Sequence, residues 1–263
     1  MASLGARFTD IDLGNKRLPA CFGYLNWKIL PLRDAFNDLE STLPQINKFI
    51  GLARRHCTYP NSRDLTRDES ATLYLYTMEM ADDTCVYQIL NKKLRHEDRS
   101  QVRPWFAYLK LFDTAAEKLS KFEGTVWRGV DKDLSKEFKK NQTITWWSIS
   151  SCSKSIKVIK NFLGNTEKST LFNIECKNGR CISEFTCYPN EDEVVLMPGT
   201  TLKVVDDALD HGGLVVMHLK EIDDDDMSDD EESGATASAQ SIKTTGKKMS
   251  EMTLSKSFIL FLI

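Results

Sequence analysis

The sequence predicts an α+β protein with a helical first half and a β-rich second half. Apolar residues recur at helical spacing between residues 37 and 120. From Gly124 onward, β-branched and aromatic residues dominate, and turn signals come at short intervals. The chain has 263 residues, of which 41% are hydrophobic, which is enough to bury a sizeable core. We therefore expect a helical lobe at about residues 30–122 and a β-rich core at about residues 123–222.

The helical lobe has one start signal that can be assigned to single residues. Thr66 and Glu69 have the spacing of a capping box, in which each side chain binds a free backbone N–H of the other residue. The first helix of the lobe should be interrupted near Pro44, since proline removes a backbone donor. The predicted helices cover residues 37–56, 66–80, 83–95 and 104–120.

The β-rich half contains short strands separated by turn residues. Asn178-Gly179 is the strongest short signal for a two-residue hairpin turn, and it would place Cys176 and Cys181 opposite each other. A short helix is expected over residues 155–163. The predicted strands cover residues 125–130, 143–153, 170–176, 181–185, 194–197, 201–205 and 214–219.

Composition and charge bear on disorder, on binding partners and on the cellular setting. Eight acids in the ten residues 223–232 begin a polar stretch that predicts a disordered tail over residues 223–263. The net charge is −3 and no long basic stripe appears, which argues against a nucleic-acid partner. An odd number of cysteines, seven, and the lack of an apolar leader favour a reducing, cytoplasmic setting. The apolar end, residues 258–263, is far shorter than the roughly 20 residues of a membrane span.

Arg128 is the first candidate functional residue, because it interrupts an otherwise apolar strand. A buried guanidinium is costly unless it meets a carboxylate or a phosphate, whose geometry its donors match. Gly129 next to it would allow another backbone or a ligand to approach closely. An arginine that extends to solvent from a sheet edge is the alternative.

Glu191 and Glu193 are the second candidate, and they precede an apolar run. In an extended chain, side chains two residues apart leave the same face, so both acids would project together. An acidic turn exposed to solvent is the alternative interpretation. The serines between positions 148 and 153 would either cap the following helix or orient a carboxylate. No spacing of cysteine or histidine resembles a metal site.

An arginine on one strand, a serine cluster on the next and a Glu-x-Glu on a third, in this order, resemble the R-S-E motifs of arginine-specific mono-ADP-ribosyltransferases. This family includes clostridial-type toxins and vertebrate ectoenzymes. The resemblance covers roughly residues 30–222. It implies a helical lobe packed on a mixed, mainly antiparallel two-sheet β core, with residues 1–222 as one catalytic domain that uses NAD⁺ and no metal.

The resemblance also implies roles for individual residues. Arg128, with Gly129 beside it, would hold the phosphates or ribose of NAD⁺. The family's Ser-x-Ser aligns with Ser151-Cys-Ser153 or with Ser148-Ile-Ser150, and the first alignment is preferred because it precedes Phe162 by the expected distance. In that alignment Ser151 would orient Glu193, with Ser153 also in the NAD⁺ site. Phe162 would stack on nicotinamide.

The two glutamates would divide the chemistry. Glu193 would stabilise the cation-like ribose as nicotinamide leaves, and Glu191 would bind the acceptor guanidinium and help to remove its proton. Phe185 or Tyr188 would contact a target protein, although a core role for Phe185 is equally compatible. The expected function is therefore transfer of ADP-ribose from NAD⁺ to arginine side chains of target proteins. Hydrolysis of NAD⁺, or a non-catalytic NAD-binding interaction module, are the alternatives.

Overall fold

The computed structural model describes residues 6–10, 20–80, 84–163 and 168–223. Predictions that fall on other residues, including nearly all of the acidic tail, lie outside the described residues. Within the described ranges, the expected order of a helical lobe followed by a β core is confirmed.

The helical lobe contains four α-helices and several short 3-10 turns. The first helix begins later than predicted, because residues 34–39 form a 3-10 turn and Gln45 adopts a left-handed backbone conformation with φ 64°. This break coincides with the interruption expected at Pro44. The helices are α1 Ile46–His56, α2 Arg67–Thr77, α3 Val86–Leu94 and α4 Phe106–Glu117.

The predicted capping box at the start of α2 is confirmed. The Thr66 hydroxyl accepts a hydrogen bond from the Glu69 backbone N–H at 3.2 Å. The Glu69 carboxylate accepts one from the Thr66 backbone N–H at 2.7 Å. Both backbone donors are therefore satisfied where the helix begins.

The β core is a mixed, mainly antiparallel set of eight strands in the described residues. Five of them follow the spatial order β2-β6-β8-β4-β1, and the pair β3-β5 joins this group through β1 and β4. Among the described strands, only β4 and β8 pair in parallel. The strands are β1 Lys121–Val130, β2 Thr143–Trp146, β3 Ser150–Ser153, β4 Ser169–Cys181, β5 Glu193–Leu196, β6 Thr200–Val204, β7 Leu209–His211 and β8 Leu214–Glu221.

The single strand predicted over residues 143–153 is wrong. Residues 143–146 pair with β6, whereas residues 150–153 pair with β1 and β5. Asn91 of α3 fixes the segment that connects β2 to β3. Its side-chain amide donates to the Ile149 carbonyl at 3.0 Å and accepts from the Ile149 N–H at 3.1 Å. The lobe therefore fixes where β3 begins.

The hairpin predicted at Asn178-Gly179 is also wrong, because β4 runs without a turn from Ser169 to Cys181. The pairing with β1 instead shifts register at this point, which marks a bulge. The buried Glu221 carboxylate accepts the N–H groups of Lys177 and Asn178 at 2.6 and 3.0 Å. Backbone donors at the bulge are therefore satisfied from β8. The strand predicted at 181–185 is likewise replaced, by a 3-10 turn at Ser183–Phe185.

The lobe packs against the β3-β5 side of the core. Ile149, Ile182, Phe185 and Val195 belong to the same buried cluster as the apolar faces of the four helices. On the other side of these strands, Cys152 and Val194 belong to a second cluster inside the β core. The candidate site lies at this junction.

Candidate functional site at the junction of the lobe and the β core

Arg128 is fully buried near the end of β1. Its guanidinium donates to the carbonyl of Ser151 on β3, to the carbonyl of Arg7 at 3.1 Å and to the carbonyl of Asp10. Its Nε is buried with no hydrogen-bond partner among the described residues. Burial lowers the pKa of this guanidinium. These three carbonyl acceptors are neutral, and no carboxylate in the described part of the chain forms an ion pair with Arg128.

Glu191 and Glu193 converge, but not in the predicted way. Glu193 is the first residue of β5 and is fully buried. Glu191 ends a 3-10 turn at Pro189–Glu191, outside the strand. Asp192 between them adopts a left-handed backbone conformation with φ 48°. The two carboxylates come together because of a turn, not because side chains alternate along one strand. The prediction that both acids lie on one face of a strand is therefore wrong, although the two acids do converge.

One guanidinium bridges both acids. Arg7 lies in a 3-10 turn at Ala6–Phe8, and its buried Nε donates to both carboxylate oxygens of Glu193 at 3.2 and 3.1 Å. Its Nη2 donates to Glu191, and its Nη1 lies 3.7 Å from a Glu79 oxygen. Burial alone would lower the pKa of Arg7, but the nearby carboxylates, Glu193 foremost, give a net upward shift.

The ring of Tyr188 completes the environment of this guanidinium. Its centroid lies 5.0 Å from the Arg7 Cζ, a cation–π distance. Tyr188 comes from the segment just before the acids, where the sequence suggested a contact with a target. Phe185 is 1% exposed and belongs to the core instead.

The serines are all buried and occupy different positions relative to Glu193. Ser153 lies directly opposite Glu193 in the β3-β5 register, and Ser151 lies opposite Val195. The Ser153 hydroxyl donates to the Glu191 carbonyl at 2.7 Å and accepts the Ser155 N–H at 3.0 Å. The Ser151 hydroxyl lies 3.5 Å from the Tyr76 hydroxyl, and no hydrogen bond joins it to Glu193 in the described residues.

Ser148 and Ser150 lie further from the acids. Their hydroxyls are 3.5 Å apart, and Ser150 also donates to the Ser148 carbonyl. Both precede the residues of β3 that pair with Glu193 and Val195. The register therefore supports the preferred alignment of the Ser-x-Ser motif with Ser151-Cys-Ser153.

Helix α5, Ile156–Phe162, covers β1 near Arg128 and ends in Phe162. The Phe162 ring stacks on Phe8 with centroids 5.2 Å apart and an interplanar angle of 14°. Gly129 lies beneath this helix, where a Cβ would fall 2.6 Å from Leu163 and 2.8 Å from Ile159. The glycine thus permits the close approach of α5 to the strand.

Sequence reasoning missed several residues of the site. Arg7, Glu79 and Asn91 lie in stretches with no motif, and their roles depend on contacts between distant parts of the chain. Composition alone does not distinguish a fully buried arginine such as Arg7, which precedes Phe8, from an exposed arginine. Only the location of Tyr188, just before the Glu-x-Glu, carried a signal.

Within the described ranges, no group of three or more histidine, cysteine, aspartate or glutamate side chains is arranged to hold a metal ion. In the same residues, no helix has the length and apolar character needed to cross a membrane.

The fold is that of ADP-ribosyltransferases of known structure. The effector XopAI from Xanthomonas axonopodis pv. citri superposes with a TM-score of 0.55 at 18% identity, covering 77% of this chain and 87% of XopAI. The ADP-ribosyltransferase Vis from Vibrio splendidus, solved with agmatine, superposes with a TM-score of 0.51 at 16% identity, covering 78% of this chain and 92% of Vis. At these identities the likeness concerns the fold.

The family follows from the sequence comparison. A family model described as NAD:arginine ADP-ribosyltransferase matches residues 34–227. Mav of Mycobacterium avium (strain 104), provisionally named an NAD(+)-arginine ADP-ribosyltransferase, is 33% identical over 130 residues. That match covers 47% of this chain and 15% of Mav, so the chain spans a small part of that relative. The chain belongs to the NAD:arginine ADP-ribosyltransferase family.

Proposed function

We propose that the protein transfers ADP-ribose from NAD⁺ to arginine side chains of target proteins and releases nicotinamide. One observation carries this proposal: two glutamates, one of them fully buried, bind the Arg7 guanidinium in the cleft that Arg7 occupies between β1, β3 and α5, and the buried Arg128 donates to the Arg7 carbonyl. The site thus already accommodates the functional group that an arginine acceptor would present.

Arg128 fits an anionic ligand. Its charge is buried, its Nε has no described partner, and the acceptors found for its other nitrogens are neutral carbonyls. A guanidinium of this kind binds phosphate through parallel hydrogen bonds. Arg128 would hold the pyrophosphate or the adjoining ribose of NAD⁺, and Phe162 at the end of α5 would supply an aromatic face for nicotinamide.

Glu193 would act on the bond between ribose and nicotinamide. As this bond breaks, positive charge develops on the sugar, and a carboxylate beside it stabilises the transition state more than the ground state. Burial of Glu193 strengthens this effect, since no water screens the charge. Ser151 and Ser153 on β3 flank the carboxylate on the same face and would restrict its orientation.

Glu191 would bind the guanidinium of the acceptor arginine and help to remove its proton. An arginine is protonated at neutral pH and must lose a proton before or as a guanidinium nitrogen bonds to the ribose carbon. Glu191 accepts a hydrogen bond from the terminal nitrogen of Arg7, so its carboxylate reaches a guanidinium in this cleft. Tyr188 would add a cation–π contact. The solved complex of Vis with agmatine, a guanidine, agrees with an acceptor of this type.

The test uses labelled NAD⁺, an arginine-rich acceptor protein and mass spectrometry of the modified side chain. Wild type should modify arginine, Glu193→Gln should lose both transfer and nicotinamide release by about 100-fold or more, and Glu191→Gln should lose transfer while it still hydrolyses NAD⁺. Glu137→Gln, at an exposed acid of the β core, is the matched control. Hydrolysis without transfer in wild type would instead support an NAD⁺ glycohydrolase. Binding of NAD⁺ without either reaction would support the non-catalytic module.

The family match over residues 34–227 supports one catalytic domain over most of the chain. We propose residues 1–222 for this domain, with a tail that begins at about residue 223. The odd number of cysteines, seven, supports a reducing and hence cytoplasmic setting. We propose that setting as well.

A further inference from the structure

The segment Ala6–Asp10, called here the Arg7 segment, fills the cleft between β1, β3 and α5. Four of the groups proposed to bind NAD⁺ or the acceptor contact it. Glu191 and Glu193 bind the Arg7 side chain. Arg128 donates to the backbone carbonyls of Arg7 and Asp10. Phe162 stacks on Phe8.

The contacts of the Arg7 segment match the chemistry of the proposed ligands group by group. The Arg7 guanidinium takes the place of an acceptor guanidinium and of the positive charge that develops on ribose. The Phe8 ring supplies an aromatic partner for Phe162, as nicotinamide would. Two carbonyl oxygens satisfy Arg128, as phosphate oxygens would. A single stretch of five residues therefore occupies both the proposed NAD⁺ site and the proposed acceptor site.

A second set of contacts anchors the far end of the segment to the lobe. The Asp10 carboxylate accepts from Arg95 at 2.5 Å and from the Asn91 amide at 3.0 Å. Asn91 is the residue that holds Ile149 before β3. The segment is thus bound at both ends, to the acids of the β core through Arg7 and to α3 through Asp10.

We propose that this cleft is a binding site for an arginine–aromatic peptide, and that the chain's own Arg7 segment occupies it as an intramolecular competitor of NAD⁺. The inference rests on the proposed function. NAD⁺ and the segment cannot share Arg128, Glu193 and Phe162, so the enzyme binds NAD⁺ only in the fraction of molecules whose segment has left. The apparent affinity for NAD⁺ is reduced by that fraction.

Electrostatics explains why the segment would stay bound until a ligand replaces it. Glu193 is fully buried, and a buried carboxylate without a partner is costly. Arg128 would likewise lose two of its described acceptors. The phosphates of NAD⁺ would give Arg128 new acceptors and its positively charged nicotinamide would give Glu193 a new partner, whereas simple release leaves both groups to water alone. Exchange of the segment for NAD⁺ is therefore favoured over simple release.

The first experiment measures whether the segment is bound as described, with no need for NAD⁺. Urea unfolding of wild type, Arg7→Ala, Glu191→Gln and the double variant forms a double-mutant cycle. We expect a coupling of at least about tenfold in the unfolding equilibrium constant. Arg55→Ala, at an exposed arginine on α1, replaces Arg7→Ala in the control cycle and should give no coupling. Absence of coupling between Arg7 and Glu191 would overturn the inference, whereas the proposed function is tested separately by the assay with labelled NAD⁺.

The second experiment measures competition. The KM for NAD⁺ in nicotinamide release should fall at least about tenfold in Arg7→Ala and in Phe8→Ala, but not in Arg55→Ala. The pentapeptide Ala-Arg-Phe-Thr-Asp, added to Arg7→Ala, should inhibit competitively with NAD⁺, and the same peptide with alanine in place of arginine should not.

The outcomes separate the two proposals. Equal KM values for wild type and Arg7→Ala, with turnover by both, would overturn the competition alone. Failure of both proteins to bind or consume NAD⁺, with the coupling present, would overturn the proposed function and, with it, competition against NAD⁺.

Discussion

Ser153 lies directly opposite Glu193 in the antiparallel register of β3 and β5, and its hydroxyl binds the carbonyl of Glu191 at 2.7 Å. Opposite residues in a sheet project from the same face, and so do residues two apart. Ser151 and Ser153 therefore share the face of Glu193 and Val195, which is the face that contacts the helical lobe. The two serines nevertheless have different partners.

This difference predicts different defects. Ser153→Ala removes the hydrogen bond that holds the turn carrying Glu191, and it should lower the free energy of unfolding by about 1–3 kcal/mol and impair transfer. Ser151→Ala removes only a long contact with Tyr76, so it should reduce kcat by restricting Glu193 less well while stability changes by less than about 1 kcal/mol. Urea unfolding and nicotinamide release measure the two effects. The same loss of stability in both variants would contradict the distinction.

Gly129→Ala should displace α5 and thereby Phe162. The new methyl group would lie 2.6 Å from Leu163 and 2.8 Å from Ile159, which is overpacked and should cost about 1–3 kcal/mol of stability. The KM for NAD⁺ should rise as well, because α5 carries Phe162. Leu163→Ala in the same chain should recover part of the stability. Gly51→Ala in α1, where nothing lies within 4 Å of the new methyl group, is the control and should be neutral or stabilising by up to about 1 kcal/mol.

Glu221→Gln tests the bulge that replaces the predicted hairpin. The carboxylate accepts the backbone N–H groups of Lys177 and Asn178 and the Asn178 side-chain amide. An amide presents one acceptor oxygen instead of two, so buried donors lose a partner, at a cost of about 1–3 kcal/mol. Urea unfolding measures this cost. Glu175→Gln, at an exposed acid of β4 that pairs with His218, serves as control and should change stability by less than about 1 kcal/mol.

Alkaline pH should destabilise the fold through its buried thiols. Burial raises the pKa of Cys152 to about 12 and that of Cys176 to about 11. An unfolded thiol has a pKa of about 8.5, so above this pH the unfolded chain loses protons that the folded chain retains. Stability therefore falls as pH rises from about 8.5 towards 11, by at most roughly 1.4 kcal/mol per pH unit for each thiol.

Urea unfolding at pH 8, 9 and 10 measures this slope. Cys152→Ala should reduce the slope by about the contribution of one thiol. An identical pH dependence in wild type and Cys152→Ala would show that the thiol does not control alkaline stability.

The sequence predicted the class of fold because that class depends on local periodicity. Helical spacing located the lobe, and the capping box at Thr66 fixed the start of α2 within one residue. The pairing partners of the strands could not be predicted in this way. Asn178-Gly179 has the local composition of a turn, but a bulge forms there instead. Glu221, 44 and 43 positions away along the chain, accepts the backbone N–H groups of Lys177 and Asn178.

The same limit applies to the site. Arg128 could be predicted because its charge interrupts an apolar strand, and Glu191 and Glu193 because they stand two residues apart before an apolar run. Glu191 reaches Glu193 through the left-handed Asp192, a backbone conformation that no periodicity predicts. Arg7 is separated from Glu193 by 186 positions, and nothing in its neighbours distinguishes it from a surface arginine. Residues whose importance comes from a distant partner are recognised only once the chain is folded.

The closed cleft bears on how inhibitors of this protein should be sought. Under the proposed competition, a compound library screened against the intact chain should report mainly molecules that outcompete Arg7 and Phe8. Screening the Arg7→Ala variant would instead expose the two glutamates to the library, and screening Phe8→Ala would expose Phe162. Hits from the two screens, ranked against each other, would show how much potency each compound loses to the resident peptide.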